Sequence, residues 1–248
     1  MEPVTEAYRP SPSLTREEMK DMQCDIAAAA VFEDRVDWEL RDDTSLLVAG
    51  VDQAFVGSDT AVSGIVVKQQ GVVVERASAS RELEVPYIPG LLAFREGGVI
   101  IDALAELSCE PDVFLFDGSG RIHFREAGLA THIGVMFDIP AVGVAKSLLC
   151  GRLSREPDQP LEEGDCIRVE ADDSVVTAES GELLGYAVQT RQFDEPSTRS
   201  INPLYVSPGH RVSASTASEA VLRFCGEYKL PDAVREADQF VASVKDEL

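Results

Sequence analysis

The chain has 248 residues, 44% of them hydrophobic, so it can bury a full core; one α/β domain is predicted, and a disordered chain is excluded. No apolar run approaches the roughly 20 residues of a membrane-spanning helix, and the start MEPVTEAYRP is neither basic nor apolar, so a soluble, cytoplasmic protein with no membrane partner is expected. The formal charge of −22 argues against the basic stripe by which nucleic-acid binders are usually known.

Residues 1–12 lack a periodic pattern and read as a flexible extension, leaving 13–248 as a single domain. From Ser13, S-x-T-R-E-E followed by Met19, Met22 and Ile26 predicts a capped helix to about residue 31, acidic in its first turn and covering one face of a sheet. The β-branched runs at 46–56, 61–69 and 71–80, joined by short polar links, predict three sequential antiparallel strands. A helix over 91–107, the strand VFLFDG, a helix over 127–137 and the strand AVGVAK follow. This order predicts a mixed sheet, antiparallel first and then parallel, with helices on both faces. Beyond Cys150, the acidic stretch 156–165 reads as a loop. IRVEADD, LLGYAVQT and LYVSP read as strands, and 215–225 and 230–248 as helices. Cys24, Cys109, Cys150, Cys166 and Cys225 are odd in number and lack C-x-x-C spacing, against both a disulfide framework and a thiolate zinc site.

The acids are spread along the whole chain, and lysine occurs only at Lys20, Lys68, Lys146, Lys229 and Lys245. That pattern fits adaptation to high intracellular salt, where the screening length falls to about 3 Å near 1 M and net charge says little about the ligand. A protein no less stable in dilute buffer than in molar potassium chloride would refute this reading.

The candidate chemistry gathers at 113–147. Two of the three histidines, His123 and His132, fall there, and the third, His210, sits in SPGHR, which reads as a glycine-flanked turn. For His132 a buried structural role is an equal alternative. Asp52 interrupts an apolar strand, where a carboxylate is costly unless it meets a cation. Asp117 ends another strand at the turn Gly118-Ser119-Gly120, and a lone strand-end aspartate commonly caps such a turn. Ligands gather at strand ends in α/β sheets. Two such carboxylates, with Glu96 as a third, would form a hard oxygen site suited to magnesium or manganese and to phosphoryl chemistry. Lys146, at the end of AVGVAK, could meet a phosphate or simply snorkel to solvent. In Pro86-Tyr87-Ile88-Pro89 the flanking prolines stiffen a loop that displays Tyr87 and Ile88, either as a wedge between stacked bases or as a turn docked on its own core.

The runs PYIPGLLAFREG, FDGSGRIHFREAGLATHIGVMFDIPAVGVAKSLLCG, YVSPGHR and KLPDAVREAD resemble the endonuclease V family, deoxyinosine 3′-endonucleases with an RNase H-like core. The resemblance implies that Asp52, Glu96 and Asp117 hold Mg2+, with Mn2+ as a substitute, and that His210 assists through a metal-bound water. Lys146 would face the scissile phosphate. Pro86, Tyr87, Ile88 and Pro89 would part the strands, and Gly90, Leu92, Gly118, Gly120 and His123 would line a hypoxanthine pocket. It further implies a monomer that nicks inosine-containing DNA at the second phosphodiester bond 3′ to the lesion. The acidic surface departs from that pattern, so a shallow salt dependence of binding is expected. Three rivals remain: a nuclease of the same core acting on inosine-containing RNA or RNA–DNA hybrids, an ATP-binding kinase- or actin-like domain, and a non-catalytic inosine reader. The last would not need all three acids.

Overall fold

The computed structural model describes residues 1–36, 45–157, 159–194, 196 and 199–248. The predicted meander is formed by β1 (Leu47–Val56), β2 (Thr60–Gln69) and β3 (Val72–Glu82), paired antiparallel. β4 (Val113–Phe116) then lies parallel to β1, and β5 (Ala141–Ala145) parallel to β4. A second antiparallel half continues from β5 through β9 (Leu204–His210), β8 (Leu183–Val188), β7 (Cys166–Glu170) and the short β6 (Arg152–Leu153). Among the described residues this makes one nine-stranded mixed sheet, ordered β3-β2-β1-β4-β5-β9-β8-β7-β6.

Side chains alternate across a strand, and the two faces are filled by different helices. Ala49, Val51, Phe114 and Phe116 pack with α2 (Leu92–Ala105) and α3 (Leu129–Phe137). Leu46, Val48, Leu115, Val142 and Val144 pack with α4 (Ala214–Phe224) and α5 (Asp232–Asp246). The same parity places Asp52, Asp117 and Lys146 on the α5 side. Gly50 permits this packing, because a Cβ there would lie 2.1 Å from the Ala233 carbonyl carbon.

Three expectations from the sequence differ from the structure. The first helix, α1 (Arg16–Ala29), has its capping box at Thr15 and Glu18, yet it packs on α3 and not on a sheet face. Residues 1–12, read as a flexible extension, lie against the domain: Val4 and Thr5 N–H donate to the Met136 carbonyl, and Pro10 fills the space beside Gly97. SPGHR is not a turn. β9 runs through Pro208 to His210, and a register shift opposite Ala141/Val142 accommodates a proline that cannot donate to the ladder. The predicted loop at 156–165 includes residue 158, which lies outside the described residues. No helix among the described residues is long and apolar enough to cross a membrane.

Candidate active site

The register of β1 on β4 builds the centre. Val51 pairs with Phe116, and Asp117 N–H donates to the Val51 carbonyl at 2.9 Å. Asp52 and Asp117 are therefore the next residues along two adjacent parallel strands, whose spacing is about 4.8 Å. Asp117 follows the end of β4, whereas Asp52 lies inside β1, one residue beyond the last parallel pair. Glu96 arrives from α2, on the other layer, and is 6% exposed; Asp52 is 7% exposed.

Burial dominates the electrostatics. It pushes the Asp52 carboxyl up to about 7, helped by the Asp117 charge and further by Asp238, against a Gln53 backbone hydrogen bond and Lys146. Glu96 also rises to about 7, chiefly by burial, with Asp117 adding and Arg95 opposing. Among the described residues neither Asp52 nor Glu96 forms an ion pair. Lys146 Nζ donates to Asp117 Oδ2 at 2.6 Å. Burial works against this cation, but the bond to Asp117 and the fields of Asp52 and Asp238 hold it above the ordinary lysine value.

Asp238 was not singled out by sequence reasoning. It lies on α5 between Ala233, packed on Gly50, and Val241, packed on Gly64, the residue paired with Asp52. Its helix crosses the strand that carries Asp52, which explains its field there. It closes the KLPDAVREAD run that carries the family resemblance, but periodicity alone does not mark it out in a chain with 44 acids.

The acids share an electrostatic field without forming a finished cage. Among the described residues, no three His, Cys, Asp or Glu side chains converge tightly enough to hold a metal ion, in contrast to the expected meeting of three acids. The physical reason is that Asp117 is turned to Lys146 while Glu96 comes from the opposite layer. The donor set still fits a divalent cation. Its oxygens are hard, and two buried carboxyls without a cation are costly to ionise until one is supplied.

His210 does not belong to this centre. It pairs across from Ala141, at the start of β5, whereas Lys146 follows its end, a separation of roughly 16 Å along the strand. Val31 N–H donates to Nδ1, so Nε2–H donates to Asp138 Oδ1 at 3.0 Å. The ring ties the segment after α1 to the end of α3. His132 is structural too, fully buried with Nε2–H on the Tyr8 carbonyl and its edge toward Phe94.

Beside the acids lies a cavity of about 190 Å³ lined by Tyr87, Gly90, Leu92, Gly118, His123 and Lys146, among others. That is the order of the roughly 150 Å³ space that accepts a benzene ring, so one heterocycle can enter. His123 is neutral, pushed down to about 3 by burial first and then by Arg125. Arg125 N–H donates to its Nδ1, leaving Nε2–H for the Gly90 carbonyl at 3.1 Å. It therefore serves as a fixed wall. Leu92 and Ala93, the first residues of α2, also line the cavity, and Leu91 at the N-cap gives no side-chain cap, so this helix end offers N–H donors. Gly120 does not line the space. It is buried against β9, where a Cβ would sit 2.4 Å from the Pro208 carbonyl oxygen, and Ser119 takes the lining position. A larger hollow of about 320 Å³ around Leu46, Val48 and Phe224 carries none of these acids.

The Pro86–Pro89 loop rims this cavity. Tyr87 is 67% exposed at its tip. Ile88 is not displayed with it as expected, because it packs on Met19, Val85, Leu91 and Phe94 and anchors the loop. Arg95 adds a hydrogen bond to the Val85 carbonyl at 2.8 Å.

An antiparallel meander feeding two parallel strands, with one carboxylate inside the first strand and one following the next, is the RNase H-like architecture of nucleases. Comparison with known proteins narrows the class. The Endonuclease V family model matches residues 31–239, and the chain belongs to the endonuclease V family. It is 54% identical to endonuclease V of the halophile Haloarcula marismortui over 98% of this chain and 97% of that protein. The crystal structure of human endonuclease V is 31% identical, with a TM-score of 0.78, over 94% of this chain and 99% of that one. Endonuclease V of Ciona intestinalis, in complex with a 24mer DNA containing an inosine followed by a ribo-adenosine, is 26% identical, with a TM-score of 0.74, over 93% and 97%.

Proposed function

We propose that this endonuclease nicks DNA at the second phosphodiester bond 3′ to deoxyinosine, leaving 3′-hydroxyl and 5′-phosphate ends, with Mg2+ as cofactor and Mn2+ as a substitute. The observation that carries the reading is the juxtaposition of a one-base cavity, an exposed tyrosine at its rim and an acidic centre beside it. Inosine pairs weakly, so swinging it out costs less than the few kcal/mol that a normal base requires. Tyr87 then fills the gap in the stack. The donor-rich start of α2 favours a purine with a carbonyl at position 6 over one with an amino group there.

Asp52, Asp117, Glu96 and Asp238 would hold the ion, which when bound supplies an activated water and neutralises charge on the departing oxygen. Lys146, bonded here to Asp117, would pair with the scissile phosphate on releasing it. The base cavity borders the cutting centre and shares Asp117 and Lys146 with it, while Asp52 and Glu96 lie outside its lining. The chain is read as a monomer acting in the cytoplasm.

The test is to incubate the full chain in molar potassium chloride with magnesium and end-labelled duplexes containing inosine in DNA, inosine in RNA, or a hybrid. Product length maps the cut. The expected result is one nick in the inosine DNA, lost in Asp52→Ala, Asp117→Ala and Asp238→Asn with binding retained. Cutting confined to the RNA or hybrid would transfer the activity to the ribonuclease reading. Binding without any cutting would make the chain an inosine reader.

A further inference from the structure

We infer that Gln23, on α1 and outside the span matched by the family model, is a positioning residue for base selection; the inference rests on the substrate reading above. Gln23 is 1% exposed and every polar atom of its amide is used. Nε2 donates to the Gly90 carbonyl at 3.0 Å and to the Ala127 carbonyl at 3.3 Å, while Oε1 accepts from Arg125 Nε at 2.7 Å. One amide thus joins two pieces of the cavity wall, Gly90 at the end of the Pro86–Pro89 loop and Ala127 at the entry to α3, to Arg125 behind His123.

The Gly90 carbonyl is where these bonds converge. It accepts from Gln23 Nε2, from His123 Nε2–H at 3.1 Å and from Arg125 Nη2 at 3.1 Å. On the other side of the same peptide, Leu91 N–H donates to the Ile88 carbonyl at 3.0 Å. A carbonyl oxygen has two lone pairs, so three donors leave this one closed to a ligand. Gly90 itself is left-handed, with φ of +76°, a conformation that only the surrounding bonds select. The peptide is locked with its acceptor turned into the protein. What the cavity then presents here are the first-turn N–H groups of Leu92 and Ala93, which suit a 6-oxo purine and leave a 6-amino purine unpaired. Gln23 lines the same cavity, but its amide is fully bonded within the protein; it fixes the Gly90–Leu91 peptide and through it the Leu92 and Ala93 N–H groups that do the reading.

Gln23→Met removes both the donor and the acceptor at nearly constant volume. Gln23→Glu keeps the acceptor for Arg125 but sets a charge against the Gly90 and Ala127 carbonyls. The measurement is the dissociation constant for an inosine duplex and for the same duplex with adenine, in molar potassium chloride with Ca2+ in place of magnesium, alongside the thermal midpoint. We expect inosine affinity to fall about 10-fold in both variants, the effect of losing one well-placed buried hydrogen bond, with adenine affinity unchanged. Arg125→Met should give a similar loss, and the double variant little more than either single one. If Gln23→Met does not fold, the Gln23→Glu comparison stands in its place. An unchanged inosine-to-adenine ratio, or equal loss on both duplexes, would overturn the inference, the second outcome leaving Gln23 merely structural. A wild-type chain with no inosine preference is a distinct result that overturns the substrate reading and this inference with it.

Discussion

Replacing Asp52 by asparagine should stabilise the metal-free protein while abolishing its activity. Moving a buried carboxyl from 3.8 to about 7 corresponds to about 4 kcal/mol of resistance to ionisation. Part of that is relieved as neighbouring groups adjust, so an advantage of about 2–4 kcal/mol is expected for the neutral amide, or roughly 5–12 °C in a chain of this length. Because the folded value lies above the unfolded one, the aspartate is protonated in both states below about pH 4 and costs nothing there. Between about 4 and 7 the unfolded chain ionises first, and wild-type stability falls as pH rises; above 7 the full penalty persists. Glu96, also raised to about 7, adds to the slope in the same window. The assay is thermal and urea denaturation at constant molar salt in EDTA, from pH 4.5 to 8.5, for wild type and Asp52→Asn. Their curves should draw together toward the acid end and separate with rising pH, and added magnesium should lift the wild type alone. Parallel curves, or a variant less stable at pH 8, would refute the claim that Asp52 is held uncompensated in the fold.

Tyr87→Ala removes an exposed ring, so the thermal midpoint should hold within about 1 °C while affinity for an inosine duplex falls by about 1–3 kcal/mol, read by fluorescence anisotropy. His210→Ala should cost about 1–3 kcal/mol in urea denaturation through the lost bonds to Val31 and Asp138, with kcat of the folded enzyme unchanged; a large drop in kcat would return His210 to the chemistry. Deleting residues 1–10 removes the hydrogen bonds to Met136 and His132 and the packing on Gly97, the neighbour of Glu96. A loss of about 2–4 kcal/mol is expected, with a higher magnesium requirement; unchanged stability would make this segment a passive tail.

Much of the fold can be read from local pattern, because strand alternation, the capping box before α1 and the turn residues between β1, β2 and β3 are short-range signals. Asp52 and Asp117 were legible for the same reason: a carboxylate inside or ending an apolar strand stands out against its neighbours. Dense motifs carried the family and the cavity. Local pattern failed where long-range packing sets the outcome. SPGHR has turn chemistry, yet pairing with β5 draws it into a strand and carries His210 to the far end of that strand. Ile88 resembles Tyr87 in sequence context, and only the apolar cluster under the loop separates the anchor from the tip. Asp238 and Gln23 look like ordinary helix residues until α5 crosses Gly50 and α1 meets Gly90, because a side chain's partners depend on which distant element lands beside it. Residue chemistry and periodicity settled which segments become strands and helices and which acids are unusual. The crossing of layers settled which of those groups share a field, and with it the composition of the site.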